Sequence, residues 1–298
     1  MRQVHNVLVV GSGLMGSGIA QVAAQSGFEV TLIDTSESAL ATADARIQDS
    51  LARLQRSGRI TDDVADTARE NLTLDLDLDA AAQRADFVIE AIVEDLTPKQ
   101  QLFERLGKLC AEDVVLGTNT SQFRIESVGQ HCLRPERVIG VHWSNPPPLM
   151  MLVEIILAPA TSKATLDATQ RYLAANNRQF VVCRKDVPGF ISNRMSTALF
   201  MEAARLVDEG IASPAEVDAV AQLMYGHKMG PIATLDLAGL DTALKVSTAL
   251  SEHYGGDRFT PPPLLADLVA QGRYGQKSGG GFYAAAEEDR RAGDEATG

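Results

Sequence analysis

The sequence predicts an α/β protein: a Rossmann-like, doubly wound, mainly parallel sheet followed by an all-helical C-terminal domain. Three observations predict it. Short β-branched runs alternate with helical periodicity through the first 187 residues, the order that builds a parallel sheet with helices on both faces. A glycine turn, Gly11-Ser-Gly13-Leu14-Met15-Gly16, joins the first run to the first helical stretch. Beyond Asp186-Val-Pro-Gly189, strand candidates almost vanish. The expected domains are therefore 1–187 and 188–298. The tail, about 285–298, has almost nothing to bury and is expected to be disordered.

The elements follow in order. Residues 6–10 (NVLVV) read as the first strand, and a helix runs from about 16 to 26. Residues 29–33 (EVTLI) are the second strand and lead directly into Asp34. Leu40, Ile47, Leu51 and Leu54 line one side of a long helix over 36–57. The run at 85–91 (ADFVIEA) has few polar residues, as a strand covered on both faces should. A helix over 98–110 and strands at 114–116, 137–142, 152–157 and 179–183 complete the sheet, with a helix over 163–176 before the last. In the second half, Ile191, Met195, Ala198 and Leu199 share one helical face. Ser213-Pro-Ala-Glu216 is a capping box with proline at the first helical position. A third helix runs from Gly230-Pro231 to about residue 252, and Pro261-Pro-Pro263 introduces a fourth.

Bulk properties exclude several functions. The 298 residues carry a net charge of −12, which argues against a nucleic-acid partner, since phosphate backbones need a basic surface. A local basic patch for an anionic small molecule remains compatible with it. Cys110, Cys132 and Cys183 form no CxxC pair and are odd in number, so neither a zinc site nor a disulfide framework is implied. Reduced, buried thiols in a cytoplasmic protein are expected, and no metal. No apolar run approaches the ~20 residues of a membrane span. The strand pattern starts almost at once, so no signal peptide is expected.

Two constellations carry chemistry. The glycine turn follows a strand and opens a helix, the context in which GxGxxG signals a dinucleotide. Gly11 allows the tight turn, Gly13 a close approach of pyrophosphate, and Gly16 close helix–strand packing, and Leu14 and Met15 between them are also expected to bind the cofactor. Asp34 is placed to accept from both ribose hydroxyls, and its charge opposes an extra phosphate there. NAD is therefore favoured over NADP. The competing reading is a helix-entry turn without ligand. The second constellation is Gly140–Glu154, which sets His142 at the polar end of one apolar run and Glu154 inside another. A carboxylate beside an imidazole makes a general base. The plainer alternative is a strand-capping histidine and an unrelated glutamate. His5, His131, His227 and His253 have no partner suggested by sequence.

The chain resembles the L-3-hydroxyacyl-CoA dehydrogenase family, which includes the 3-hydroxybutyryl-CoA dehydrogenases. The resemblance covers about residues 4–284. It rests on GSGLMGSGIA at 11–20, EAIVEDLTPK at 90–99, NTS at 119–121, GVHWSNPPPLMMLVE at 140–154, KDVPGFISNR at 185–194, MGPIATLDLAGLD at 229–241 and GQKSGGGFY at 275–283. It implies NAD-dependent oxidation of a 3-hydroxyacyl-CoA in a cleft between domains, and a homodimer. It further implies that His142 is the base and Glu154 its orienting carboxylate. Ser121 and Asn193 would hydrogen-bond the reacting oxygen. Glu94, Lys99, Asn145 and Lys277 would contact the cofactor.

Two departures bear on substrate. Thioester-active members usually carry His-Phe-Phe-Asn-Pro, whereas this chain has His142-Trp143-Ser144-Asn145-Pro146 and two further prolines, which implies a different pocket shape. Ser50 matches a serine of the family's CoA-phosphate site, but Ser57 stands where a lysine is expected. Arg53, Arg56 and Arg59 either replace that lysine as phosphate ligands or form a solvated helix face. The alternative activities are oxidation of a free hydroxy acid or other small carboxylate, and a non-catalytic, crystallin-like structural role.

Overall fold

The computed structural model describes residues 3–284; the tail expected to be disordered lies outside the described residues. Backbone contacts divide the chain into two units, Met1–Phe190 and Ile191–Gly298.

In the first unit the elements are β1 (Asn6–Val10), α1 (Leu14–Gln25), β2 (Glu29–Ile33), α2 (Glu37–Arg56), α3 (Asp62–Glu70), β3 (Leu72–Asp75), α4 (Leu78–Arg84), β4 (Phe87–Glu90), α5 (Leu96–Leu109), β5 (Val115–Thr118), α6 (Ile125–Val128), β6 (Val138–Trp143), β7 (Leu152–Ile156), α7 (Lys163–Ala175) and β8 (Gln179–Cys183). The eight strands form one sheet in the order β3-β2-β1-β4-β5-β6-β7-β8. Each neighbouring pair is parallel except β6 and β7, which run antiparallel. The predicted fold class is the observed one. The sequence reading omitted β3, α3, α4 and α6. β3 sits at the sheet edge with one side open, so its alternating Leu and Asp residues resemble a polar loop.

Burial explains the strand composition. Every residue of β4 and β5 is buried, so neither strand needs a polar face. Leu40, Ile47, Leu51 and Leu54 are all buried along α2, as their helical spacing predicts. Phe87 stacks on Tyr172 with ring centroids 4.3 Å apart, which ties β4 to α7. Each such fully buried side chain contributes about 1.5–3 kcal/mol. Burial pushes the Tyr172 phenol well above its ordinary range.

Arg137, fully buried, ends α5. Its Nη1 donates to the Ala111 carbonyl at 2.6 Å and its Nη2 to the Gly107 carbonyl at 2.6 Å. Gly107 lies in the last turn of α5, whose carbonyls lack helical partners at the negative end of the helix dipole, and the Ala111 carbonyl just beyond the helix also accepts from the Val114 N–H at 3.1 Å. Cys110 and Cys132 are buried beside it, and burial raises both thiols to about 11.

The second unit is helical: α8 (Ser192–Asp208), α9 (Pro214–Leu223), α10 (Pro231–Ala238), α11 (Leu240–Tyr254) and α12 (Pro263–Ala270). Ser213 and Glu216 form the capping box that starts α9. One expectation needs correction. The single helix expected over 231–252 is broken at Gly239, whose φ of +99° lies where side chains are strained. On α8, Met195 and Leu199 are exposed, and the core is built by Met201, Ala203 and Ala204. That helix carries two apolar stripes, and the small residues of one allow closer packing. Among the described residues, no helix is long and apolar enough to cross a membrane.

Arg137→Ala would leave the α5 carbonyls unpaired in the interior, at a cost of about 3 kcal/mol or more. Arg137→Lys should recover only part, because an ammonium lacks the planar fork. Urea unfolding of the three proteins measures both differences.

Candidate active site

The glycine turn lies at the C-terminal edge of β1. Gly11 has a φ of +101°. A Cβ on Gly16 would collide with the Gly11 carbonyl oxygen, whereas one on Gly13 would meet nothing within 4 Å. Gly16 is therefore required by packing, and Gly13 leaves open space in front of the helix N-terminus. A cavity of about 1010 Å³ opens there, lined by Gly11–Met15, Asp34, Thr35 and Ala91–Val93 among others. Ser12 donates to Asp34 Oδ2 through its backbone N–H at 2.8 Å and its hydroxyl at 2.7 Å, and the Thr35 N–H donates to Oδ1 at 2.7 Å. Burial alone would raise the Asp34 carboxyl, but these bonds outweigh it and hold the group below the usual carboxylate range. An ionised carboxylate has about four acceptor sites, so capacity for a ribose hydroxyl remains. The residues present fit a dinucleotide.

The antiparallel pairing of β6 and β7 sets His142 directly opposite Glu154. Their neighbours Val141, Trp143, Val153 and Ile155 point into the core, so the pair shares the other sheet face. His142 Nδ1 lies 3.0 Å from Glu154 Oε2, and its Nε2 lies 3.0 Å from Ser121 Oγ. Glu154 is buried. As a carboxylate it can only accept, so Nδ1 carries the proton and Nε2 is the acceptor that faces Ser121. Phe190 contacts the imidazole edge-on, with centroids 5.7 Å apart.

Ser121 sits on a turn held by a cluster of charges, of which Glu90 and Lys99 are buried. Glu94 Oε1 accepts from the Thr120 hydroxyl at 2.6 Å, the Ser121 N–H at 2.9 Å and the Gln122 N–H at 3.0 Å. Lys99 Nζ is 3.1 Å from Glu94 Oε2 and 2.5 Å from Glu90 Oε1. Glu90 in turn accepts from the Thr118 hydroxyl at 2.6 Å and the Ile92 N–H at 2.8 Å. Glu94 and Lys99, expected to contact the cofactor, take part in this cluster. Lys99 is buried between two carboxylates, because a lysine in the interior requires compensating charge. Neither residue lines the 1010 Å³ cavity. Sequence reasoning missed Glu90, Thr118 and Thr120. The available signal was Glu90, a carboxylate closing an otherwise apolar strand.

Asn145 is exposed in the loop after β6, ahead of a cis peptide to Pro146. In the second unit, Asn193 lies in the first turn of α8. Lys277 pairs with Asp241 at 2.6 Å, 5.7 Å above the Tyr274 ring. A second cavity of about 480 Å³ is lined by Ser50, Arg53, Ser57 and Arg59, by Arg46, and by Pro146–Leu149. Arg56, expected on the same surface, is exposed elsewhere. Helical spacing aligns 46, 50, 53 and 57 and turns 56 about 100° away. Trp143 also departs from expectation: it is buried in the core, and Ser144 donates to the Leu152 carbonyl at 3.2 Å. The tryptophan therefore does not alter the site's shape.

Two family models match: the 3-hydroxyacyl-CoA dehydrogenase NAD-binding domain over residues 6–187 and the C-terminal domain over 189–285. A probable 3-hydroxybutyryl-CoA dehydrogenase of Bacillus subtilis is 39% identical over 94% of this chain and 97% of its own. The mitochondrial hydroxyacyl-coenzyme A dehydrogenase of Sus scrofa is 37% identical over 94% of this chain and 91% of its own. The crystal structure of 3-hydroxybutyryl-CoA dehydrogenase from Escherichia coli superposes with a TM-score of 0.91. It is 36% identical and covers 96% of this chain and 61% of that one.

Glu94 gives a pH test. Burial would raise its carboxyl, but Lys99 and the hydrogen bonds from Thr120 and Ser121 hold it below the ordinary value. A lowered folded-state pKa stabilises above the unfolded-state value of ~4.3. That contribution is lost as pH falls through the folded-state value. The Tm advantage of wild type over Glu94→Gln should be largest near neutral pH and close in acid. Melting curves from about pH 7 down to about pH 3 check it.

Proposed function

Because the chain belongs to the 3-hydroxyacyl-CoA dehydrogenase family, we propose that it oxidises the 3-hydroxyl of an acyl-CoA thioester to a ketone. The observation that carries the reading is the line Ser121–His142–Glu154, with both contacts at 3.0 Å. NAD, bound at the glycine turn, supplies the hydride acceptor. His142 Nε2 takes the hydroxyl proton, and Glu154 stabilises the imidazolium through Nδ1. Ser121 holds the substrate oxygen within reach of Nε2, and Asn193 donates to the same oxygen. In the reverse direction the imidazolium returns its proton to the ketone oxygen. Asn145 and Lys277 would hold the nicotinamide half of the cofactor. Glu94 and Lys99 act by fixing the Ser121 turn.

Arg53 and Arg59, with Ser50, take the CoA phosphates at the second cavity, in place of the lysine lost at Ser57. Ser57 is also the one observation that favours a second reading, a free hydroxy acid. Homodimerisation is supported by the exposed Val220, Leu223 and Met224 of α9 and its C-terminal end, an apolar surface that a second copy would cover. A cytoplasmic location accords with three buried free cysteines.

His142→Ala should lower kcat by about 10²–10⁴ and leave NADH binding, read by fluorescence, intact. Unchanged turnover would refute the base assignment. Activity on acetoacetyl-CoA with none on free 3-hydroxy acids is expected; the opposite preference would select the second reading. NADH binding without turnover of either class would select a structural role.

A further inference from the structure

The two cavities of the first unit have only two lining residues in common, Leu14 and Arg46. Leu14 is apolar and exposed. Arg46, one turn before Ser50 on α2, is the only charged group on both walls. Its Nη1 donates to Ser17 Oγ at 3.1 Å and, at 3.4 Å, to the Ser12 carbonyl. Ser12 and Ser17 flank the start of α1, so the guanidinium lies against the glycine turn. Among the described residues no carboxylate pairs with it, unlike Arg53, which meets Asp49 at 3.2 Å. Nε2 of Gln21, buried in the wall of the smaller cavity, has no hydrogen-bond partner. A half-buried cation without a counter-charge and a buried donor without an acceptor both fit an anionic ligand.

We infer that Arg46 is a shared binding residue. One guanidinium serves both the dinucleotide pyrophosphate in the larger cavity and the phosphates of the substrate's nucleotide tail in the smaller one. The inference rests on the thioester reading, which supplies the second set of phosphates. Two polyanions in adjoining cavities repel each other, and the repulsion is strong where water is partly excluded. A cation on the common wall offsets it for both. The ligand that binds first fixes the Arg46 side chain, so the second meets a cation already ordered; each ligand then raises the affinity of the other, and reciprocity requires the same factor in both directions. Arg53 and Arg59 touch only the smaller cavity and give no such coupling.

Calorimetric titration of NAD, with and without saturating free CoA, reads this directly, because CoA without an acyl group allows no turnover. In wild type, CoA should tighten NAD binding by about fivefold or more, fading as salt is raised. In Arg46→Leu, CoA should leave the NAD affinity unchanged or weaken it, and Arg46→Lys should restore most of the coupling. If Arg46 only braces the glycine turn, the leucine variant weakens NAD equally with and without CoA; a coupling ratio equal to wild type's therefore overturns the inference. Failure of wild type to bind CoA at all overturns the thioester reading, and this inference with it.

Discussion

One reversed strand organises the catalytic face. The sheet is parallel from β3 to β6, and then β7 runs back along β6. Only a directly opposed pair in that ladder brings a carboxylate against an imidazole from twelve residues away. The register is fixed from behind. Val141, Trp143, Val153 and Ile155 fill the core on the opposite face, and a slip of one residue would exchange the core side chains for His142 and Glu154. The apolar packing that stabilises the sheet thus also orients the His142–Glu154 pair. The tautomer follows from that orientation, because a buried carboxylate accepts from Nδ1–H and leaves Nε2 as the acceptor that faces Ser121.

The serine that faces Nε2 depends on a different kind of constraint. Its turn follows β5 and is held by acceptors, because the loop's amides have no strand to pair with. Glu94 supplies three bonds to it, and Glu90 holds Thr118 just before it. Two carboxylates this close would repel, and Lys99 between them removes the conflict. A buried lysine in that position is weak as a stabiliser but strong as a specifier of geometry, since loss of any member leaves a charge uncompensated. Lys99 stands near the start of α5, and Arg137 secures the far end of the same helix. The position of Ser121 is therefore traceable to two buried cations.

The sequence was most legible where a local rule sufficed. Strand–glycine–helix context, the stripe of Leu40, Ile47, Leu51 and Leu54, and the Ser213–Glu216 box each depend on residues close in sequence, and each reappears in the structure. It was least legible where a partner lies far along the chain. Glu90 and Lys99 are nine residues apart but meet only because β4 and α5 pack together. β3 was missed because an edge strand may alternate with acids. The Ser121–His142–Glu154 line lay between these cases. Its members were named through the motifs, but the register that joins them is a property of the sheet.

The two departures from the family pattern now carry different weights. Trp143 enlarges the core side of β6, where the neighbouring residue on the strand must point away from His142. A change there alters packing and leaves the face of the base unchanged. Ser57 is a loss of charge on the face of α2 that borders the smaller cavity, and charge at such a site determines which anions bind. Arg53 and Arg59 lie on the same wall, and Arg46 stands two turns before Arg53, against the glycine turn. A guanidinium at that point acts on two ligands, whereas a lysine at position 57 would act on one. The redistribution of cations therefore does more than compensate for a missing lysine: it moves positive charge from the end of the helix to the boundary between cofactor and substrate, and makes their affinities interdependent.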